Sequence, residues 1–153
     1  MTVAKKERIK IYCDGACSGN QFKNNIGGWG AVLIFGSIRK EISGAEKNST
    51  NQRMEIVASI ESLKAITKKE IPITIFSDSA YLVNCINNRW YVKWQSNGWK
   101  NSKKLKVENR NLWEELLLLL ENLDVEFKKV DGHSGVTENE NADKLARRAI
   151  EEF

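Results

Sequence analysis

Ile71-Pro72-Ile73-Thr74-Ile75-Phe76-Ser77-Asp78-Ser79 carries the decisive fold signal in this chain. Ile71 to Phe76 is a short apolar run opened by the only proline, Pro72, and reads as a buried strand that stops before Asp78. Helical spacing lies on both sides of it. Upstream, from Asn51 to Thr67, Met54, Val57, Ala58, Leu63, Ala65 and Ile66 mark an apolar helix face, with Thr50 or Asn51 as the cap. Downstream, Ser79 to Asn87 resumes a helical pattern. Further back, residues 8–14 alternate, Ile9, Ile11 and Cys13 against Lys10, Tyr12 and Asp14, as in a strand ending at Asp14-Gly15. Residues 29–36 and 38–45 read as two more strands joined at Gly36-Ser37 in a hairpin. Toward the C-terminus come a leucine-rich helix from Leu112 to Leu123, a strand from Val125 to Val130 and a helix from Asn139 to Glu152. Three strands followed by alternating strands and helices specify an α/β sheet of mixed pairing.

The 153 residues, 41% hydrophobic and 29% charged, suit one compact domain with its own core, residues 1–7 being expected to be flexible. The longest strongly apolar run, Leu116 to Leu120, is five residues, against roughly 20 for a membrane span. Residues 1–7 carry no apolar signal-peptide core. Three cysteines (Cys13, Cys17, Cys85), without metal-site spacing, read as reduced thiols in a cytoplasmic protein.

Net charge is +4, yet Arg89 to Arg110 alone carries seven basic residues and one acid. Four of the five tryptophans, Trp90, Trp94, Trp99 and Trp113, lie in or just beyond it. Basic and aromatic side chains interleaved over 88–108 suit the backbone and flat sugars or bases of a polyanion. The alternative is a solvated loop that its tryptophans anchor to the core.

Four acids, Asp14, Glu55, Asp78 and Asp143, sit in distinct polar cassettes separated by apolar stretches. Each also has an ordinary reading: Asp14 as a turn residue before Gly15, Glu55 as a first-turn carboxylate complementing its helix dipole, Asp78 as a helix cap, Asp143 on an exposed helix face. Asp14 and Asp78 follow strands, where ligands of open α/β sheets collect. If all four acids converge, their mutual repulsion calls for hard divalent cations with oxygen ligands. His133, the only histidine, lies between Gly132 and Gly135 and is placed for proton transfer rather than for a core.

Taken together, these cassettes make the chain resemble a type 1 ribonuclease H, in the bacterial form with a basic handle. The marks are Tyr12-Cys13-Asp14-Gly15-Ala16-Cys17-Ser18-Gly19-Asn20, Gly27-Gly28-Trp29-Gly30-Ala31 and Thr50-Asn51-Gln52-Arg53-Met54-Glu55. Ser77-Asp78-Ser79, the handle from Trp99-Lys100 to Leu112-Trp113, Gly132-His133-Ser134-Gly135 and Asn139-Glu140-Asn141-Ala142-Asp143 follow in order. The resemblance implies a five-stranded mixed sheet flanked by helices, the first three strands antiparallel and the last two parallel to the first. It implies hydrolysis of the RNA strand of RNA–DNA hybrids, largely without regard to sequence, leaving 5′-phosphate and 3′-hydroxyl ends. Asp14, Glu55, Asp78 and Asp143 would hold two Mg²⁺ ions, or Mn²⁺, and His133 would assist proton transfer. Asn20, Thr50, Asn51 and Gln52 would touch the hybrid near the cut. Trp90, Trp94, Trp99, Lys100, Lys103 and Lys104 would grip the DNA strand through phosphates and sugars. A cytoplasmic monomer without a hybrid-binding module is expected.

Three features depart from the best-known bacterial pattern. The 20–27 loop is longer and lacks a proline-glycine run, Ala80 replaces a frequent glutamine, and Asp131 replaces a frequent lysine. Two other readings use the same residues: a hybrid-binding or double-stranded-RNA-binding module with remnant acids, and an integrase- or resolvase-type nuclease.

Overall fold

The computed structural model describes residues 7–19, 25–131 and 136–153. Most of the expected flexible N-terminal segment and most of the longer 20–27 loop lie outside the described residues. The elements run β1 (Ile9–Ser18), β2 (Ile26–Phe35), β3 (Ile38–Lys47), α1 (Asn51–Lys64), β4 (Ile73–Ser77), α2 (Ala80–Asn87), α3 (Trp90–Ser96), α4 (Arg110–Glu121), β5 (Val125–Lys129) and α5 (Thr137–Glu151). They build one five-stranded sheet in the order β3-β2-β1-β4-β5. β1, β2 and β3 pair antiparallel, while β4 pairs parallel to β1 and β5 parallel to β4. The mixed sheet expected from the sequence is the one observed.

Alternation along the strands sends side chains to two layers. Ile9, Ile11 and Cys13 of β1 lie beside Ile73, Ile75 and Ser77 of β4 in register and are buried. α1 covers this face, with Cys13 Sγ 3.5 Å from Ser62 Oγ, and α4 packs on α1 through buried Leu112, Trp113 and Leu116. α5 covers β1, β2 and β3. It comes close enough that a Cβ on Gly30 would lie 2.5 Å from the Ala142 carbonyl oxygen, so a larger residue there would require α5 to shift.

Element boundaries differ from the sequence expectations in informative ways. β1 does not end at Asp14-Gly15: its ladder with β2 continues to Ser18↔Ile26, because a long partner strand holds the backbone extended through a dipeptide that favours turns. Its ladder with β4 stops at Cys13↔Ser77. Asp14 therefore sits at the position where β1 loses one neighbour and keeps the other. α1 closes at Lys64, three residues before Thr67, and α5 begins at Thr137 rather than Asn139. The basic segment is not a plain loop, since residues 90–96 form α3.

Candidate active site

Asp14 is the pivot of the site. The β1–β4 register stops one residue short of it, so Asp78, next after Ser77, comes level with it at the end of the parallel ladder. Glu55 arrives on α1, whose backbone approaches β1 at Gly15: a Cβ there would stand 2.7 Å from Glu55 N and 2.8 Å from the Met54 carbonyl carbon. Only glycine lets α1 lie so close to the strand. One carboxylate oxygen each from Asp14, Glu55 and Asp78 falls within 4.8 Å of the others. Asp143, on α5, lies against Asp14 and raises the pKa of its carboxyl. Its own oxygens are held by Arg147 one turn on, Nη2 at 2.8 Å from Oδ2 and Nε at 3.3 Å from Oδ1.

All four of the ordinary readings of these acids fail on geometry. Ser79, not Asp78, caps α2, its Oγ accepting from Leu82 N at 3.1 Å. Glu55 is the fifth residue of α1, beyond the first turn where the helix dipole is felt most. Asp14 lies inside a strand. Asp143 is half-buried rather than on a solvated face.

The cluster is electrostatically costly. Asp14 is 5% exposed and Glu55 8%. Burial, then the charge of Asp78, pushes the Asp14 carboxyl up to about 7. Burial, then the charges of Asp14 and Asp78, drives Glu55 well above the usual carboxylate range. Relief from within the chain is slight. Gly15 N–H donates to Asp14 Oδ1 at 2.9 Å, but Glu55 Oε2 has no hydrogen-bond partner among the described residues. Neither Asp14, Glu55 nor Asp78 forms an ion pair with a lysine or arginine among the described residues. A largely buried all-oxygen donor set with an unpartnered lone pair fits a hard divalent cation and suits a softer, sulfur-seeking metal poorly.

The remaining expected site residues fall in three places. Thr50 caps α1, its Oγ1 accepting from Arg53 N at 3.1 Å, and leaves Asn51 and Gln52 exposed in the first turn. Asn20 and His133 lie outside the described residues. The handle folds around its own aromatic cluster. Trp94 stands 6.5 Å from Trp90, 5.9 Å from Trp99 and 5.9 Å from Trp113, ring centre to ring centre. Trp94 and Trp99 are buried, whereas Trp90 is 36% exposed, so the anchoring role of the tryptophans is real for two of the three. Lys100, Lys103 and Lys104 are exposed. A cavity of about 660 Å³ lies between the handle and the start of α1, lined among others by Gln52, Trp90, Lys93, Lys100 and Lys106.

Lys93 and Lys106, counted in the sequence with the basic segment but not singled out as site residues, line that cavity, and Arg110 of the same segment has its guanidinium 5.3 Å from the Trp99 ring centre. Sequence reasoning passed over Arg147, though the four-residue spacing from Asp143 signals the pair.

Comparison with known proteins agrees with this geometry. A family profile described as RNase H matches residues 6–151. The chain is 54% identical over 144 residues to a protein of Syntrophomonas wolfei named Ribonuclease H, covering 94% of this chain and 97% of that one. It is also 54% identical over 142 residues to a Ribonuclease H of Symbiobacterium thermophilum, covering 93% and 94% respectively. Among solved structures it superposes with a TM-score of 0.84 at 30% identity on LC9-RNase H1, a type 1 RNase H with the type 2 active-site motif, covering 99% of this chain and 75% of that one. A strand-borne aspartate flanked by three further carboxylates, a handle rich in lysine and tryptophan, and relatives matched over nearly their whole length leave one assignment: the chain belongs to the ribonuclease H family.

Proposed function

We infer that this protein is a divalent-metal-dependent endoribonuclease that hydrolyses the RNA strand of RNA–DNA hybrids. The observation that carries the reading is the trio of buried Asp14, buried Glu55 and half-buried Asp78, with one carboxylate oxygen each within 4.8 Å of the others and no balancing lysine or arginine among the described residues. Asp14, Glu55, Asp78 and Asp143 hold the metal, two Mg²⁺ ions being the assignment and Mn²⁺ the alternative. When bound, the ions supply Lewis acidity and charge neutralisation at the scissile phosphate.

The chain's own residues do the rest. Gly15 N–H fixes one oxygen of Asp14, and Arg147 steadies Asp143 at the edge of the cluster. His133 moves a proton near the departing strand end. Asn20, Thr50, Asn51 and Gln52 meet the hybrid beside the cut, and Glu55 is the carboxylate beside the ribose 2′-hydroxyl, which separates RNA from DNA. Lys100, Lys103 and Lys104, with the exposed face of Trp90 and the partly covered Trp94 and Trp99, position the DNA strand through its backbone. Cleavage is accordingly indifferent to sequence and leaves 5′-phosphate and 3′-hydroxyl ends.

Three free thiols support a reducing, cytoplasmic setting. Apart from Trp90, Val92 and Leu105 of the handle, the exposed large apolar residues among the described ones are spread over separate elements, which supports a monomer.

One labelled RNA strand, offered with Mg²⁺ as hybrid, as double-stranded RNA and beside the equivalent DNA duplex, tests the reading. Cutting of the hybrid alone, abolished by chelation, is expected. Binding without cutting would mark a recognition module, and preference for DNA duplexes or junctions would mark an integrase-like nuclease.

A further inference from the structure

The residues assigned to the hybrid rim, Thr50, Asn51 and Gln52, follow a tight turn between β3 and α1. Among the described residues, that turn is held from outside mainly by the side chain of Asn25, with Cys17 Sγ as a longer contact. The Asn25 amide makes a two-point bond to the backbone of Ser49, Nδ2 donating to Ser49 O at 3.0 Å and Oδ1 accepting from Ser49 N at 2.9 Å. The Asn25 carbonyl accepts in addition from Asn48 N at 2.9 Å. The β2–β3 ladder ends at Ile26↔Lys47, so these bonds extend it past its last backbone pair. The side-chain amide takes the place of a further peptide unit.

The need for such a device is visible in the turn. Asn48 adopts a left-handed conformation, φ 55°, which swings the chain out of β3. Thr50 is already extended, φ −137° and ψ 161°, as the cap of α1. Between them Ser49 is 4% exposed and could not draw on water for its backbone bonds. Its carbonyl also lies 3.6 Å from Cys17 Sγ on β1, so strand end, loop end and helix start meet at one peptide.

We propose that Asn25 is a positioning residue for hybrid recognition: by clamping Ser49 it fixes the rim formed by Thr50, Asn51 and Gln52 beside Glu55, and ties to that rim the loop end leading from Asn20. The proposal rests on the hybrid-cleaving reading above and adds the residue that holds its rim in place. Asn25 touches neither the carboxylates nor the handle in any hydrogen bond found among the described residues, so its loss acts on substrate binding and leaves the metal site as it is.

The test is steady-state cleavage of a labelled hybrid by Asn25→Ala and Asn25→Asp, beside wild type and Thr74→Ala. Asn25→Asp keeps the acceptor for Ser49 N–H and loses the donor to Ser49 O. Thr74→Ala loses an unrelated bond, from Arg8 Nε at 2.9 Å, at the other end of β4. The clamp predicts a KM raised about fivefold or more in Asn25→Ala, kcat within about twofold, and an unchanged Mg²⁺ requirement. Thr74→Ala, a control for general destabilisation, keeps the wild-type KM. A general structural role would instead lower kcat with the active fraction and leave KM alone, which overturns the proposal, as does a wild-type KM in both Asn25 variants. Should either variant fail to fold, hydrogen exchange on wild type decides: the Ser49 amide must be protected, and exchange at the rate of an open loop refutes the clamp. Wild type that cuts no hybrid sinks the functional reading itself, a result separable from every outcome above.

Discussion

Asp14 and Glu55 hold raised carboxyl pKa values because burial and neighbouring acids penalise their charged forms. The direction of the pH effect follows. An acid whose pKa is higher folded than unfolded binds more protons in the folded state between those two values, so folding loses free energy as pH rises through them. For Asp14 that window runs from its ordinary 3.8 to about 7. In metal-free buffer these two groups lower the unfolding midpoint as pH is raised from about 4 to about 8, and added Mg²⁺ flattens the trend. Thermal melts across that range with a chelator, then with Mg²⁺, would show it. A wild-type curve parallel to that of Glu55→Gln in the chelator would contradict it. Lys104 presents a different residue-scale strain: it is non-glycine at φ 64° in the handle. Lys104→Gly should therefore gain about 1 kcal/mol in denaturant unfolding. It should also raise KM for the hybrid and lower the salt slope of binding by about one, as loss of a single phosphate contact requires. Gain of stability with no change in the salt slope would remove Lys104 from the interface.

Among the elements, the approach of α1 to β1 is the feature on which the site depends most. Gly15 brings the Glu55 backbone against the strand that bears Asp14. Gly15→Ala places a methyl group against three atoms of α1 within 2.8 Å, two of them backbone, and the helix has to move. Overpacking of this kind costs about 1–3 kcal/mol, and displacement of Glu55 should lower kcat more than it raises KM. Equilibrium unfolding with single-turnover cleavage would separate the two effects. Undiminished kcat in a destabilised Gly15→Ala protein would mean that the carboxylate geometry does not depend on this approach. The handle shows the same division at element scale. Trp94 and Trp99 are buried in one aromatic cluster with Trp113, while Lys100, Lys103 and Lys104 of the same segment face outward.

Across the whole molecule, much of the sheet could be read from apolar periodicity, because each strand and helix has a face that must be buried. What resisted reading was set by tertiary partners. The Asp14-Gly15 pair suggests a turn locally, but β2 extends opposite it and draws both residues into a ladder. α3 is short and, except for Trp94, mostly exposed, so it leaves little periodic trace among the lysines and tryptophans around it. At the site the four acids were legible as cassettes, whereas the means that bring them together were not. The close seat at Gly15 and the clamp at Asn25 are three-dimensional facts without a local spacing. Arg147 had one, four residues from Asp143, and was overlooked beside the more conspicuous acids.

The central claim is that the carboxylate cluster is strained when empty and relieved by divalent cations. Thermal unfolding of wild type and Asp14→Asn near pH 8, each with chelator and with Mg²⁺, tests it most directly. Without metal, Asn at position 14 should make the protein more stable than wild type by about 1–2 kcal/mol, since a repelling buried charge is gone. With Mg²⁺ at about ten times its Kd, wild type should gain about 1.4 kcal/mol and the variant little, and only wild type should cut the hybrid. A variant no more stable than wild type in chelator, with the same response to Mg²⁺ and undiminished cleavage, would contradict the claim.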